Sequence, residues 1–190
     1  MSTTALIVEI LVIGCFSLIW IILNLLNIYD VTLQELGQVL IKYKDWSTAL
    51  IIFTIAVCYL LGWVMNLFGY FLMKKSLHKY IISKILKDDT PNYDKIKFKV
   101  FHEGSPNVYN KIKEELSVVR LIRSASINFL FISVSIFLYG KWGLGIVILL
   151  VSLICFLEYF FIYNRYINRI YISYKIIQKK KNNKHREAST

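Results

Sequence analysis

Four long apolar runs alternate with polar segments along this chain. They cover about Leu6–Tyr29, Ala49–Met73, Ser124–Tyr139 and Gly143–Tyr163. A helix needs roughly 20 mostly apolar residues to cross the hydrocarbon core of a bilayer. The third run is short and needs Ile122 or its neighbours to complete it. The pattern therefore predicts an all-α membrane protein with four transmembrane helices. The first run is too long for a signal peptide and has no basic residue before it, so we expect it to be retained.

Helical periodicity continues beyond three of the apolar runs. The segment "KKSLHKYIISKILKDD" predicts a continuation of the second helix past Met73, ending at Thr90 because Pro91 follows. Ser105 and Pro106 suit the start of a helix that runs unbroken to Tyr139. Apolar positions every three or four residues extend the last helix to about residue 177. We expect these extensions to form a helical stem, and the polar end "QKKKNNKHREAST" to be disordered.

Two shorter segments have patterns of their own. In "KIKFKVF" lysines alternate with apolar residues, which is the period of a β-strand. A strand with no partner in the chain would need one from another subunit or another protein. In "DVTLQELGQVLIKYKDW", Leu33, Leu36, Leu40 and Tyr43 share one helical face. That segment predicts a short helix resting on the outer membrane surface.

The distribution of positive charge predicts the topology. Of the 23 Lys and Arg residues, 12 lie between Lys74 and Arg123 and 8 between Arg165 and Arg186. The other three lie in the two short connections: Lys42 and Lys44 between the first two runs, and Lys141 between the last two. Because cytoplasmic loops collect Lys and Arg, we expect both termini in the cytosol of a bacterial cell, in a multi-pass inner-membrane protein. The predicted organisation is a membrane domain over residues 1–163, which includes a basic segment at 74–123, and a basic tail over 164–190.

Residues with catalytic potential cluster at one place, in "FHEGSP". His102, Glu103 and Ser105 invite comparison with a hydrolase, but no second acidic or histidine cluster is present to complete a triad. We interpret the segment as a capped turn. The three cysteines, Cys15, Cys58 and Cys155, lie inside apolar runs without metal-ligand spacing. We therefore predict no catalytic residue, no metal site and no cofactor.

Polar residues within or beside the apolar runs are the candidate functional positions. They are Glu9, Asn66, Arg120, Arg123, Asn128 and Glu158. Ionisable residues inside a membrane are costly and point to function, although snorkelling to headgroups and structural ion pairing are alternatives. We expect either acid to pair with one of the neighbouring arginines or to reach water. Arg120, Ser124 and Asn128 would share one polar helical face, as a helix contact or as the mouth of a polar path.

The second run carries a stripe of larger polar and aromatic residues between two glycines. Tyr59, Trp63, Asn66 and Tyr70 follow helical spacing, with Gly62 and Gly69 beside them. Small residues let helices approach closely, and Asn bonds between helices. The stripe predicts a packing seam, and we expect Gly62, Asn66 and Gly69 to form a contact in a homo-oligomer. A pore lining is the alternative.

The basic segments imply anionic partners. Membrane lipids attract juxtamembrane Lys and Arg, nucleic acids use the same charge through phosphates, and an acidic cytosolic protein is the third option. The outline of four spans, a basic middle segment ("KSLHKYIISKILKDD" through "SVVRLIRS") and a basic tail resembles the small membrane proteins of bacterial phage-defence loci. These include the membrane accessory of type VI-B CRISPR systems and the membrane component of Kiwa.

The resemblance implies a non-enzymatic accessory, sensor or membrane-perturbing effector that acts with a cytosolic partner. A small oligomeric channel or transporter subunit is the alternative.

Overall fold

The computed structural model describes residues 3–73, 79–85 and 92–187. Over these residues the chain forms seven α-helices and one 3₁₀ turn, and no strand. The helices are α1 (Thr3–Ile28), α2 (Leu33–Lys42), α3 (Ser47–Met73), α4 (Lys79–Ile85), α5 (Tyr93–Glu103), α6 (Pro106–Leu138) and α7 (Trp142–Glu187), with the 3₁₀ turn at Lys44–Trp46.

Four of the helices, α1, α3, α6 and α7, are long and apolar enough to cross a membrane, as the hydropathy pattern predicts. They belong to a multi-pass membrane protein. The most apolar 18-residue window of α6 is 50% buried, against 28% for α1 and 17% each for α3 and α7. Helix α6 is therefore the most buried of the four, and the others leave more of their apolar surface exposed.

The predicted strand "KIKFKVF" is wrong, because these residues belong to the helix α5. Tyr93, Ile96 and Val100 are buried, at the spacing of one helical face, whereas Phe98 is 65% exposed. Apolar side chains at every second position fit a strand. Ile96 and Val100 are also four residues apart, however, so the same seven residues fit a helix with both on its buried face. The need for a strand partner from another subunit therefore disappears.

The chain beyond residue 177 also differs from expectation. Helix α7 continues to Glu187, so the prediction of disorder is wrong for residues 178–187. The start of α6 at Pro106 and its end at Leu138 agree with the sequence pattern. The predicted passage of the second helix through residues 74–78 and its stop at Thr90 lie outside the described residues.

The amphipathic segment between the first two spans is the helix α2, as predicted. It starts with a capping box that the sequence analysis missed: the Thr32 hydroxyl accepts from the Glu35 amide, and the Glu35 carboxylate accepts from the Thr32 amide at 2.7 Å. These hydrogen bonds favour the ionised carboxylate and lower the pKa of Glu35. The capping box gives α2 a defined first turn.

The chain divides into two compact units. The apolar unit comprises Ser2–Tyr70 with Arg120–Glu158, and the basic unit comprises Phe71–Val119 with Tyr159–Thr190. The basic unit holds 18 of the 23 Lys and Arg residues but 7 of the 12 Asp and Glu. It therefore carries the entire formal charge of +11, and the apolar unit is neutral.

The basic unit has a core of its own. Its buried apolar residues come from α4, α5, α6 and α7, and include Ile81, Ile96, Ile112, Ile167 and Ile170, each no more than 1% exposed. This burial shows that the segments beyond the apolar runs fold together.

Candidate functional site

Polar side chains join α1 to α6 at a constant sequence offset. Glu9 contacts Arg120, Ser17 contacts Asn128, and Asn24 contacts Ser135, each pair separated by 111 residues. A constant difference means that the two helices are parallel and in register over about two-thirds of α1. We call these contacts the polar ladder.

The lower rung of the polar ladder is an ion pair. The Arg120 Nε donates to Glu9 Oε1 at 3.0 Å, and a terminal nitrogen donates to Oε2 at 3.3 Å. The Glu9 side chain is only 4% exposed and that of Arg120 is 23% exposed. A buried carboxylate needs such a partner, since desolvation without one costs several kcal/mol, roughly, per ion.

Asn128 is the middle rung and is completely buried. Its Oδ1 accepts from the Ser17 hydroxyl at 3.0 Å and from the Trp20 indole at 3.2 Å, and its Nδ2 donates to the Ile13 carbonyl at 3.3 Å. The amide group thus uses both its acceptor and its donor to hold α1. This arrangement explains how an asparagine is accommodated in an apolar span.

The upper rungs complete the ladder. The Asn24 amide donates to the Ser135 hydroxyl at 2.8 Å, and the Tyr139 hydroxyl donates to the Leu23 carbonyl at 2.9 Å. The sequence analysis missed Ser17, Asn24 and Ser135. The seven-residue spacing of Ser17 and Asn24 on α1, matched by Asn128 and Ser135 on α6, is the signal that could have found them.

Arg123 joins α6 to α3. Its guanidinium donates to the Asn66 side-chain oxygen at 2.6 Å and to the Asn66 carbonyl at 3.1 Å, and lies 5.8 Å from the centre of the Tyr70 ring. Arg123 is 7% exposed. The predicted residues Asn66 and Arg123 therefore meet each other inside the chain.

The glycines of α3 and α1 mark a close helix contact. A Cβ atom at Gly62 would overlap the Ile10 carbonyl, and one at Gly14 would overlap the Cys58 carbonyl. At Gly69 a Cβ would meet side chains instead, 3.1 Å from Ile127 and 3.3 Å from Arg123. Both predicted packing glycines thus face other helices of the same chain, and the expected contact with a second copy stays a prediction.

The packing seam of α3 runs one residue away from the predicted stripe. Its buried positions are Cys58, Gly62, Met65 and Gly69. Tyr59, Trp63 and Tyr70 are 41%, 53% and 41% exposed. The prediction placed the large aromatics in the seam, whereas the close contact of α1 and α3 admits only small side chains.

Small residues also join α6 to α7. The Ser126 hydroxyl donates to the Ser152 carbonyl at 3.2 Å, and the Ser152 hydroxyl donates to the Ser126 carbonyl at 2.8 Å. One further contact joins the Ser133 hydroxyl to the Gly145 carbonyl at 2.8 Å. The paired positions have a constant sum, which is the mark of antiparallel helices.

Two predicted polar positions take no part in these contacts. Glu158 is exposed on α7 and has no ion-pair partner in the part of the chain that the structure describes. Ser124 is completely buried, and its hydroxyl has no hydrogen-bond partner among the described residues. Cys15 and Cys58 lie side by side, with sulfur atoms 3.6 Å apart.

The basic unit is held by aromatic and charged contacts. Arg169 pairs with Glu115 at 2.8 Å, and the Lys99 ammonium lies 5.5 Å from the centre of the Tyr174 ring. Burial, followed by the neighbouring Tyr166 and Tyr163, raises the pKa of Tyr93 far above its ordinary value. The Tyr93 hydroxyl therefore stays protonated and neutral in the core of the basic unit.

The residues of the "FHEGSP" segment are spread over a turn. His102 is exposed and stacks on Phe98 with ring centres 4.5 Å apart. Glu103 ends α5, and Ser105 immediately precedes α6. Within residues 3–73, 79–85 and 92–187, no group of three or more His, Cys, Asp or Glu side chains is placed to hold a metal ion.

The chain matches no protein-family model, no curated protein and no solved structure.

Proposed function

We propose that this protein is a non-enzymatic accessory or sensor of the bacterial inner membrane, which holds its basic unit on the cytosolic side for a cytosolic protein partner. One observation carries the proposal: the basic unit has a buried core of its own and carries the whole excess charge. A folded unit with a formal charge of +11 is suited to binding an acidic protein surface.

The contacts of the apolar unit support an accessory role over the alternative of a channel subunit. Glu9, Arg120, Arg123 and Asn128 all bind side chains or carbonyls of neighbouring helices. Polar groups that hydrogen-bond between helices hold the helices together and fix their register. A channel would instead direct such groups towards water.

Phage defence is the process in which to test the proposal, since the outline of the chain resembles the membrane proteins of such loci. Cells that express the protein with its neighbouring genes would be challenged with phage, and a membrane-potential dye would be read in parallel. We expect the double change Lys95→Glu with Lys111→Glu, both exposed in the basic unit, to lower protection at least tenfold.

The matched control makes the same charge change in the other unit, at Lys42 and Lys141, which are also exposed. We expect these glutamates to leave protection unchanged. Equal effects of the two double variants, or no protection by the original protein, would refute the proposal. Depolarisation of unchallenged cells that persists in both variants would favour the channel. Dissociation of the isolated complexes of the original protein on nuclease treatment would point to nucleic acid rather than protein.

A further inference from the structure

A cavity of about 250 Å³ lies within the basic unit, where α5 turns into α6 and faces α7. Glu103, Gly104, Ser105 and Val108 form one side of it. Ser173 and Lys180 of α7, with two isoleucines between them, form the other. The cavity thus joins the "EGSP" turn to the far part of the longest helix.

The first turn of α6 leaves backbone donors free at this cavity. Its first hydrogen bond runs from the Tyr109 amide to the Ser105 carbonyl at 3.1 Å. Pro106 has no N–H, and the amide of Val108, which lines the cavity, has no acceptor among the described residues; nor has the amide of Asn107, which precedes it and does not line the cavity. The positive end of a helix dipole adds to these donors, so the turn favours an anion.

Gly104 makes the turn possible. A Cβ atom there would overlap the Val100 carbonyl, which accepts the Gly104 amide at 3.0 Å. A larger residue would push the end of α5 away from the start of α6. The glycine therefore keeps the free amides of α6 at the cavity.

The opposite wall supplies an independent indication of a ligand. Ser173 is 9% exposed, lines the cavity, and makes no hydrogen bond to any residue that the structure describes. A serine within a helix ordinarily bonds to the carbonyl four residues before it or faces water. The Ser173 hydroxyl has no such bond and is open to the cavity, so it can donate to a ligand bound there.

We propose that this cavity binds the phosphate group of a small soluble ligand. The α6 amides and the Ser105 and Ser173 hydroxyls would donate to the phosphate oxygens, and Lys180 would supply the opposite charge. The isoleucines and Val108 would cover an apolar part of the ligand. Glu103 opposes an anion, which keeps the affinity moderate and favours a singly charged phosphate.

The position along α7 distinguishes a soluble ligand from a lipid headgroup. The last apolar run ends near Tyr163, and the cavity residues Ser173 and Lys180 follow 10 and 17 residues later. At 1.5 Å per residue, this places them about 15 to 25 Å further along the helix. This separation along α7 favours a soluble ligand over a lipid headgroup at the end of the apolar run, and the experiment below distinguishes the two. The cellular meaning of the site rests on the proposed sensor function.

The test titrates inorganic phosphate, with chloride as the reference anion, into the full chain in phosphatidylcholine nanodiscs, followed by calorimetry. We expect millimolar or tighter binding that Lys180→Ala and Ser173→Ala each weaken about tenfold. Lys179→Ala removes the same charge from the same helical turn, but Lys179 does not line the cavity. We expect it to have less than a twofold effect, and Glu103→Gln to tighten binding.

Three outcomes would overturn the proposal. These are no binding of phosphate above chloride, equal weakening by Lys179→Ala and Lys180→Ala, and binding that occurs only when phosphatidic acid is present in the nanodisc. The last would assign the site to a lipid headgroup. Because the assay needs neither phage nor partner, its failure would leave the proposed function to be judged by the challenge experiment.

Discussion

At the scale of single residues, Glu9 is the one buried carboxylate among the described residues of the apolar unit. Its carboxylate is almost fully enclosed, and both oxygens accept hydrogen bonds from Arg120. Removal of one partner from a buried ion pair leaves an uncompensated charge, whereas removal of both charges does not. Removal of Arg120 alone should therefore destabilise the protein more than removal of both charges.

We expect Arg120→Ala to lower the free energy of unfolding by roughly 3 kcal/mol, because the buried Glu9 then loses both hydrogen bonds from the guanidinium. The double variant Glu9→Gln with Arg120→Gln should recover most of this loss, since two amides can hydrogen-bond without charge. The measurement is unfolding of the purified protein in detergent. Arg165→Ala is the control, because Arg165 is exposed. If Arg120→Ala were as stable as Arg165→Ala, the ion pair would not contribute to the fold.

At the scale of elements, the sequence was sufficient for the four membrane-spanning helices but not for α5, the end of α7 or the pairing of the helices. Each apolar run and the start of α6 at Pro106 were predictable, because length and local chemistry determine them. The pairing of α1 with α6 depends on contacts between residues 111 apart, and no local pattern reports that distance.

The errors also arise because tertiary packing, rather than local sequence, decides the structure. The α5 segment alternates as a strand would, and only packing of Ile96 and Val100 into a helical core decides against it. For the candidate site, the polar residues were identifiable from their place in apolar runs. Their partners were identifiable only from the matched seven-residue spacing on α1 and α6, because Ser17 and Ser135 otherwise resemble any other small residue in a span.

The close contact between α1 and α3 predicts that glycine-to-alanine changes destabilise the protein by different amounts, according to what the added methyl group meets. Gly62→Ala should destabilise the protein by at least about 1 kcal/mol, since its Cβ would overlap the Ile10 carbonyl and backbone cannot move aside cheaply. Gly69→Ala should cost less, because the atoms that it meets belong to side chains. Gly143→Ala is the control: it meets nothing within 4 Å, and alanine is the better helix former.

The measurement is again unfolding in detergent, with the three variants compared side by side. The expected order of stability is Gly143→Ala first, Gly69→Ala second and Gly62→Ala last. A Gly62→Ala protein as stable as the Gly143→Ala protein would mean that α1 and α3 do not approach so closely.

At the scale of the whole molecule, charge and polarity are separated between two units. The apolar unit is neutral and uses its polar groups to hold four helices together, whereas the basic unit carries the net charge of +11. Positive charge is retained on the cytosolic side of bacterial membranes, so we propose that the basic unit lies in the cytosol. Both the proposed partner and the proposed phosphate ligand depend on this assignment.

Cysteine labelling tests the assignment most directly. Cys15, Cys58 and Cys155 would be replaced by serine, and one new cysteine introduced at Ser83 of the basic unit or at Lys141 between α6 and α7, both exposed positions. We expect a membrane-impermeant maleimide to label the Lys141→Cys protein in intact spheroplasts, and the Ser83→Cys protein only after the membrane is broken. Labelling of Ser83→Cys in intact spheroplasts would place the basic unit outside the cell and contradict the account.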